Sequence, residues 1–282
     1  MNAGTGSTTT EVVVVGGGPA GLQAALTLGR MHRDVVLLDS GSYRNAPAAH
    51  MHNYATHDGR SPAEFRALAH ADLAAYETVE VLEMAATDVR RSDGGFATTL
   101  ADGSVVESRL VLLATGVRDV LPDVPGVAEA FGRVAHHCPF CHGHELAGGT
   151  IAVQDGPKVD HLVPMLSRIS EDVRVVSGLE KVVVDGDEAV LTVGGEELRV
   201  RGIFLDSGFE QAAPFARQLG LALLESGCIE IDSMGRTSVP GVYAAGDLAH
   251  TSAQPMPLMS VLGAQAAGQL AGGGCVAELL TS

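Results

Sequence analysis

The glycine turn Gly16-x-Gly18-x-x-Gly21 constrains this chain more than any other feature, because of what stands on either side of it. Glu11 to Val15 is a short β-branched apolar run, and Pro19 to Met31 carries apolar residues at Leu22, Ala25, Leu26 and Leu28. The first has the length and residue type of a buried strand, the second the spacing of a helix. A further apolar run, Val35 to Leu38, closes on Asp39, about twenty residues past the turn, and completes a βαβ unit. In that setting Gly16 permits the tight turn, Gly18 lets a pyrophosphate approach the amides at the helix N-terminus, and Gly21 lets helix and strand pack closely. The Asp39 carboxylate accepts from ribose hydroxyls. Gly16, Gly18, Pro19, Ala20, Gly21 and Asp39 are therefore the candidate dinucleotide-binding residues. A glycine turn without a ligand is the alternative, and it leaves the acid and the second strand unexplained.

With 282 residues, 46% hydrophobic content and 35 glycines, the chain is long enough for two modest α/β domains, each with its own core. A net charge of −16 with only 18 Lys and Arg excludes nucleic acid as a main partner, since that affinity depends on basic residues that displace counterions. The same charge disfavours an anionic lipid surface. Met1 to Thr10 is polar and small, without the basic and apolar regions of a signal peptide, so a cytoplasmic location is the expectation. No membrane partner is expected either: no run reaches the ~18 apolar residues of a span, and Gln265 and Gln269 interrupt the longest.

Further along, a segment rich in His, Asn and Gly at Ser42 to Arg60 is suited to lining a pocket and precedes a helix expected over Pro62 to Tyr76. Leu110 to Ala114 is another buried run, ending at Thr115-Gly116, and the proline-punctuated stretch Leu121 to Gly126 reads as a domain crossover. From there to Arg236, strands at Ile151 to Val153, Val173 to Val176 and Ile203 to Leu205 describe a second α/β unit. A last strand then ends in Gly246-Asp247, where the glycine allows backbone approach and the aspartate can hydrogen-bond a ribityl chain. A helix lined with small residues is expected after it, over Pro257 to Leu270. The first domain is thus read as discontinuous.

Four cysteines are too few for a disulfide scaffold of this size, and Cys138-Pro139-Phe140-Cys141 has the spacing of a reversible disulfide or a metal pair. On the first turn of a helix and beside imidazoles, such a thiol falls from its free pKa near ~8.5 toward neutrality, as exchange chemistry requires. His136, His137, His142 and His144 surround the pair. Zinc is the competing reading, but ligands crowded into so few residues without a distant second pair are unlike ordinary zinc spacing, and no metal is expected. An imidazole can deprotonate an incoming thiol near neutral pH, so His137, directly before Cys138, and His142, directly after Cys141, are the candidate bases. Cys228 and Cys275, each beside glycine, read as packing residues.

Together the Gly16 turn, Ala114-Thr115-Gly116 and Gly241-Val242-Tyr243-Ala244-Ala245-Gly246-Asp247 resemble the FAD-binding motifs of the thioredoxin-reductase branch of the pyridine nucleotide-disulfide oxidoreductases, over nearly the whole chain. The resemblance implies an α/β fold of two Rossmann-like three-layer domains. A discontinuous FAD domain, 1–116 and 237–282, would flank an inserted domain, 117–236, that carries the cysteine pair and a degenerate nucleotide-binding site. It adds Thr115, Gly116, Gly246 and Asp247 to the cofactor-binding residues and implies a homodimer. It further implies that Cys141 faces the flavin and Cys138 exchanges with substrate, and that His142 stands where the family usually carries an aspartate.

The second nucleotide site departs from a reductase. Gln154-Asp155-Gly156-Pro157-Lys158-Val159-Asp160 offers one glycine and two acids in place of another Gly-x-Gly-x-x-Gly, so a phosphate meets repulsion and a shortened turn. Ser177-Gly178-Leu179-Glu180-Lys181 stands where the family has a basic cluster. NADPH is therefore not expected to bind. Keeping FAD and the cysteine pair without NADPH leaves electrons entering through thiols. That pattern resembles the thioredoxin-reductase-like dithiol oxidases that close disulfides in microbial natural products such as holomycin, gliotoxin and romidepsin. Asn53 to Gly59 and Pro62 to Phe65 are similar to that group too. The resemblance implies a FAD-dependent oxidase in which a small-molecule dithiol exchanges at Cys138, O2 takes the electrons, and hydrogen peroxide is the by-product. Two other readings stay open: a protein disulfide reductase fed by ferredoxin, reduced flavin or weakly bound NADPH, and a flavin-bound thiol sensor or scaffold with little turnover.

Overall fold

The computed structural model describes residues 8–281, and the part of the polar N-terminal tail before them lies outside the described residues. The chain divides into two compact units. The first comprises the chain up to Arg44, Ala63–Arg118 and the chain from Glu210, and the second comprises Asn45–Pro62 and Asp119–Phe209.

In the first unit Thr8–Val15 lies between two parallel neighbours, Val35–Leu38 and Val105–Leu113. Covered on both faces, it is buried and apolar at every position from Val12 to Val15, which is why its sequence shows no polar alternation. Val79–Leu82 extends the sheet past Val35–Leu38, and Val242–Ala244 joins in parallel beside Val105–Leu113. Ala86–Ser92 and Gly95–Leu100 continue it as an antiparallel meander. Helices Pro19–Gly29 and Val261–Leu279 pack on this sheet, joining Leu22, Ala25, Leu28, Ala271 and Cys275 to Val12, Val14, Leu110 and Leu112 in one core.

Two helix expectations need correction. The helix read over Pro62 to Tyr76 ends at Leu73. The one read over Pro257 to Leu270 runs over Val261–Leu279, starting where the Ser260 hydroxyl accepts from the Gly263 amide at 3.0 Å. It continues through Gly272-Gly273-Gly274, although glycine costs an isolated helix about 1 kcal/mol per residue. Packing explains this: a Cβ on Gly272 would lie 3.1 Å from the Ala24 carbonyl oxygen, and one on Gly274 2.7 Å from that of Met234. Side chains there would push the helix off its neighbours, and that tertiary gain outweighs propensity.

The second unit is built on a four-stranded parallel sheet of Val173–Val176, Ile151–Gln154, Gly202–Phe204 and Ala135–His136, in that spatial order. A three-stranded antiparallel sheet, Leu179–Asp185, Glu188–Val193 and Glu196–Val200, shares a core with it through Val182, Leu191, Ala152 and Ile203. Ligands of parallel sheets sit beyond the carboxyl ends of the strands. His136, Gln154 and Phe204 stand at three of those ends. Among the described residues no helix is long and apolar enough to cross a membrane.

Candidate functional site

The glycine turn in the first unit is shaped as its sequence suggests. Gly16 has φ of +121°, and its amide donates to the Leu38 carbonyl at 2.9 Å. A Cβ on Gly21 would collide with the Gly16 carbonyl oxygen, while one on Gly18 would meet no atom of the described residues within 4 Å. Gly18 caps the helix Pro19–Gly29 without any side chain accepting from the first-turn amides. An open approach to unsatisfied N–H groups on a positive helix end is the environment a pyrophosphate requires, so these residues fit a dinucleotide.

Asp39 is buried beneath Gly17, where an added Cβ would strike its carboxylate. Its Oδ1 accepts from the Gly41 amide at 2.9 Å and its Oδ2 from the Tyr43 hydroxyl at 2.8 Å, with His70 Nε2 at 3.3 Å. Burial, then the bond to Asp39, push the Tyr43 phenol up to about 12, so it remains a donor. At the other strand end, Asp247 Oδ2 is ion-paired with Arg44 Nη1 at 2.8 Å, and Gly246 has φ of +89° beside Ala20. Thr115 and Gly116 follow the neighbouring strand Val105–Leu113, Gly116 with φ of +67°. Sequence reading missed Tyr43, His70 and Arg44. Arg44 and Asp247 are 203 residues apart, and no local spacing announces such a pair.

In the second unit the cysteines form a disulfide, Cys138 to Cys141, with Cα atoms 5.4 Å apart. The expected helix is a single turn, Pro139–His142, followed by the 3-10 turn His144–Leu146. Cys138 stands at the N-cap of that turn and Cys141 lies within it. The histidines dominate the surroundings. His136, at the end of its strand and 4% exposed, stacks on His142 with ring centroids 4.1 Å apart. Burial, with the nearby His142 and His137 adding to it, pulls His136 down to about 3, and among the described residues its Nδ1 has no hydrogen-bond partner. Burial also lowers His142, against a raising effect of Glu145 and with a further lowering from His52. His137 stacks on Phe131 at 5.7 Å. Among the described residues no three His, Cys, Asp or Glu side chains are grouped so that they could hold a metal ion. Cys228 and Cys275 are fully buried, and burial raises both thiols.

The sequence pattern of the pyridine nucleotide-disulphide oxidoreductases matches residues 10–153 and 166–268. This chain belongs to that family. It is 34% identical to thioredoxin reductase sirT of Leptosphaeria maculans, over 94% of this chain and 92% of that protein. Its fold is shared with the crystal structures of HlmI (30% identical, TM-score 0.87, covering 97% of this chain and 93% of that one) and of an oxidoreductase from Agrobacterium tumefaciens (29% identical, TM-score 0.89, covering 97% and 99%). As a pyridine nucleotide-disulphide oxidoreductase of the thioredoxin-reductase type, it is a flavin-dependent thiol/disulfide oxidoreductase.

Within this oxidoreductase the second nucleotide turn is occupied by its own side chains. Lys158 Nζ donates to the Ser207 carbonyl at 2.6 Å and pairs with Asp206 Oδ1 at 3.1 Å. Gln154 Oε1 accepts from the Asp206 amide at 3.1 Å, and a Cβ on Gly156 would lie 2.7 Å from the Asp206 carboxylate. The helix that follows, Val159–Leu166, carries Asp160 in its first turn and Pro164 inside.

His136 also supports a prediction about stability. Its folded-state pKa lies below the free value, so the fold is favoured while the ring is neutral. That contribution is fully present above pH 6.5 and is lost as pH falls toward about 3. Replacing His136 with Phe, which retains a ring to stack on His142, is expected to flatten the fall in Tm between pH 7 and pH 5, measured by circular dichroism. An unchanged acid slope would mean that other groups set it.

Proposed function

We propose that this oxidoreductase converts a small-molecule dithiol, of the kind found in natural products, to its disulfide, with FAD as resident cofactor, O2 as terminal acceptor and hydrogen peroxide as by-product. The observation that carries this reading is the Lys158–Asp206 pair in the second nucleotide turn. A nicotinamide dinucleotide would have to break that pair and bring its phosphates against Asp155 and Asp160, whereas thiols can reach a cysteine pair directly. NADPH is therefore not a substrate. FAD would be held by Gly16, Gly18, Pro19, Ala20 and Gly21 at the pyrophosphate and by Asp39 at the ribose, with Thr115, Gly116, Gly246 and Asp247 completing the site. Its domain would be 1–116 and 237–282, with 117–236 inserted and two copies of the chain in the working enzyme.

In the proposed cycle a substrate thiolate attacks Cys138 Sγ. The Cys138–Cys141 bond breaks, a substrate–Cys138 disulfide forms, and Cys141 leaves as thiolate. His137 or His142 takes the proton of the second substrate thiol, which attacks the substrate sulfur of the mixed disulfide and releases Cys138. Bound FAD supplies the two-electron acceptor for the dithiol pair and the reductant for O2.

The test is anaerobic stopped-flow absorbance of the holoenzyme against excess dithiothreitol and, separately, NADPH, followed by air. Bleaching by dithiothreitol alone, with reoxidation and peroxide release in air, is the expected result. The competing reading, a protein disulfide reductase, is favoured by the name thioredoxin reductase that the Leptosphaeria relative bears. Bleaching by NADPH would establish it.

A further inference from the structure

We propose that His136 is the positioning residue that holds the His142 imidazole, by face-to-face stacking, as the base for the second substrate thiol. This rests on the dithiol reading above and deepens it by choosing between the two histidines beside the cysteine pair. The rings of His136 and His142 lie nearly parallel, with 13° between their planes and centroids 4.1 Å apart. At that separation the two π faces are in direct contact. Backbone bonds fix the turn that carries His142: the Cys141 amide donates to the Cys138 carbonyl at 3.2 Å, and the Gly143 amide to the Pro139 carbonyl at 2.8 Å. They leave the imidazole its rotation about two side-chain bonds. Among the described residues that ring makes no hydrogen bond or ion pair, and its ring contact is with His136.

His136 can hold a neighbour because the parallel sheet holds His136. It ends the strand Ala135–His136 and stands in register with Phe204 of the strand Gly202–Phe204. Its carbonyl accepts from the Leu205 amide at 2.7 Å. Its ring, only 4% exposed, also meets the Phe204 ring, with centroids 6.0 Å apart and planes tilted by 50°. A ring packed in this way on a strand end is fixed in place, and a partner stacked on it inherits that order. His137, the other candidate base, stacks on Phe131 at the longer centroid distance of 5.7 Å. Two stacked imidazoles take up a proton without facing charges only if one of them stays neutral. Burial keeps that one His136, so the proton goes to His142. When His142 removes the proton of the second thiol, the S–H electron pair stays on sulfur for attack on the substrate–Cys138 disulfide. The neutral face of His136 then lies against the cation that forms.

The experiment is the rate of anaerobic flavin bleaching by dithiothreitol at about pH 7, in holoenzymes of equal FAD content. Wild type is compared with His136→Phe, His136→Leu, His142→Ala and the double variant that joins the last two. Phenylalanine keeps a ring face against His142, and leucine fills much of the space without one. The expected rate is about tenfold lower in His136→Leu and within about threefold of wild type in His136→Phe. His142→Ala is expected to lose about a hundredfold, and adding His136→Leu to it to change the rate by less than about twofold. A merely structural role gives the same deficit whether or not His142 is present. A wild-type rate in His136→Leu, a His136→Phe as slow as His136→Leu, or equal deficits in the two backgrounds overturns the proposal. If His136→Leu does not retain FAD, His136→Met, whose thioether fills the space without a ring, takes its place under the same criteria. A His142→Ala that keeps the wild-type rate overturns the positioning role and leaves the dithiol reading standing, with His137 as base. A wild type that dithiothreitol fails to bleach overturns the dithiol reading, and the positioning role with it.

Discussion

Replacing Cys141 with serine is expected to lower the proposed dithiol turnover by ~10³-fold or more while the protein remains yellow. The two halves of that result come from separate parts of the chain. Exchange needs a second sulfur to leave as thiolate when substrate attacks Cys138, and a serine hydroxyl forms no disulfide at all. The residues proposed to hold FAD, from Gly16 to Asp39 and at Gly246 and Asp247, belong to the first compact unit, whereas Cys141 belongs to the second. Serine is nearly isosteric with cysteine, and Cys141 is only half-buried, so the substitution leaves little to disturb in the fold. Cys275→Ala is the matched control. Carried on the glycine-rich helix, its sulfur is fully buried in the core of the first unit and burial raises its thiol, so turnover should persist at the cost of some stability. Oxygen consumption on a dithiol, measured alongside the flavin spectrum, decides the matter. Unchanged turnover in Cys141→Ser would mean that electrons bypass the pair.

Much of this molecule was legible because its chemistry is local. A βαβ unit with its glycines spans one stretch of sequence, and buried parallel strands announce themselves as unbroken apolar runs such as Val12 to Val15 and Val35 to Leu38. The cysteine pair is equally local. What sequence left out depends on distance along the chain. Arg44 meets Asp247, and His52 meets Glu145, only because folding brings them together. The extent of the helix Val261–Leu279 depends on what it packs against, which local propensity does not carry. Gly272 to Gly274 look like a stop signal until the Ala24 and Met234 backbones occupy the space a side chain would need. The single-turn helix at the cysteines shows the reverse, a local signal of helix initiation that the chain does not prolong.

Gly18→Val is expected to yield a folded but nearly colourless protein, with FAD content after purification below about a tenth of wild type. The argument turns on a contrast between two glycines in the same turn. At Gly21 any Cβ meets the Gly16 carbonyl, so Gly21→Ala should lose stability and flavin together. Gly18 has extended backbone, φ −77° and ψ −179°, which valine adopts readily, and a Cβ there meets no protein atom within 4 Å. Nothing among the described residues therefore requires glycine at this position. A requirement can come only from something that approaches the first-turn amides of Pro19–Gly29 from outside, which is the place a pyrophosphate would take. Melting of the Gly18→Val apoprotein within about 5 °C of wild-type apoprotein, with visible absorbance lost, separates ligand from fold. A variant as yellow as wild type would place the dinucleotide elsewhere, and one that fails to fold would show that the turn itself needs the glycine.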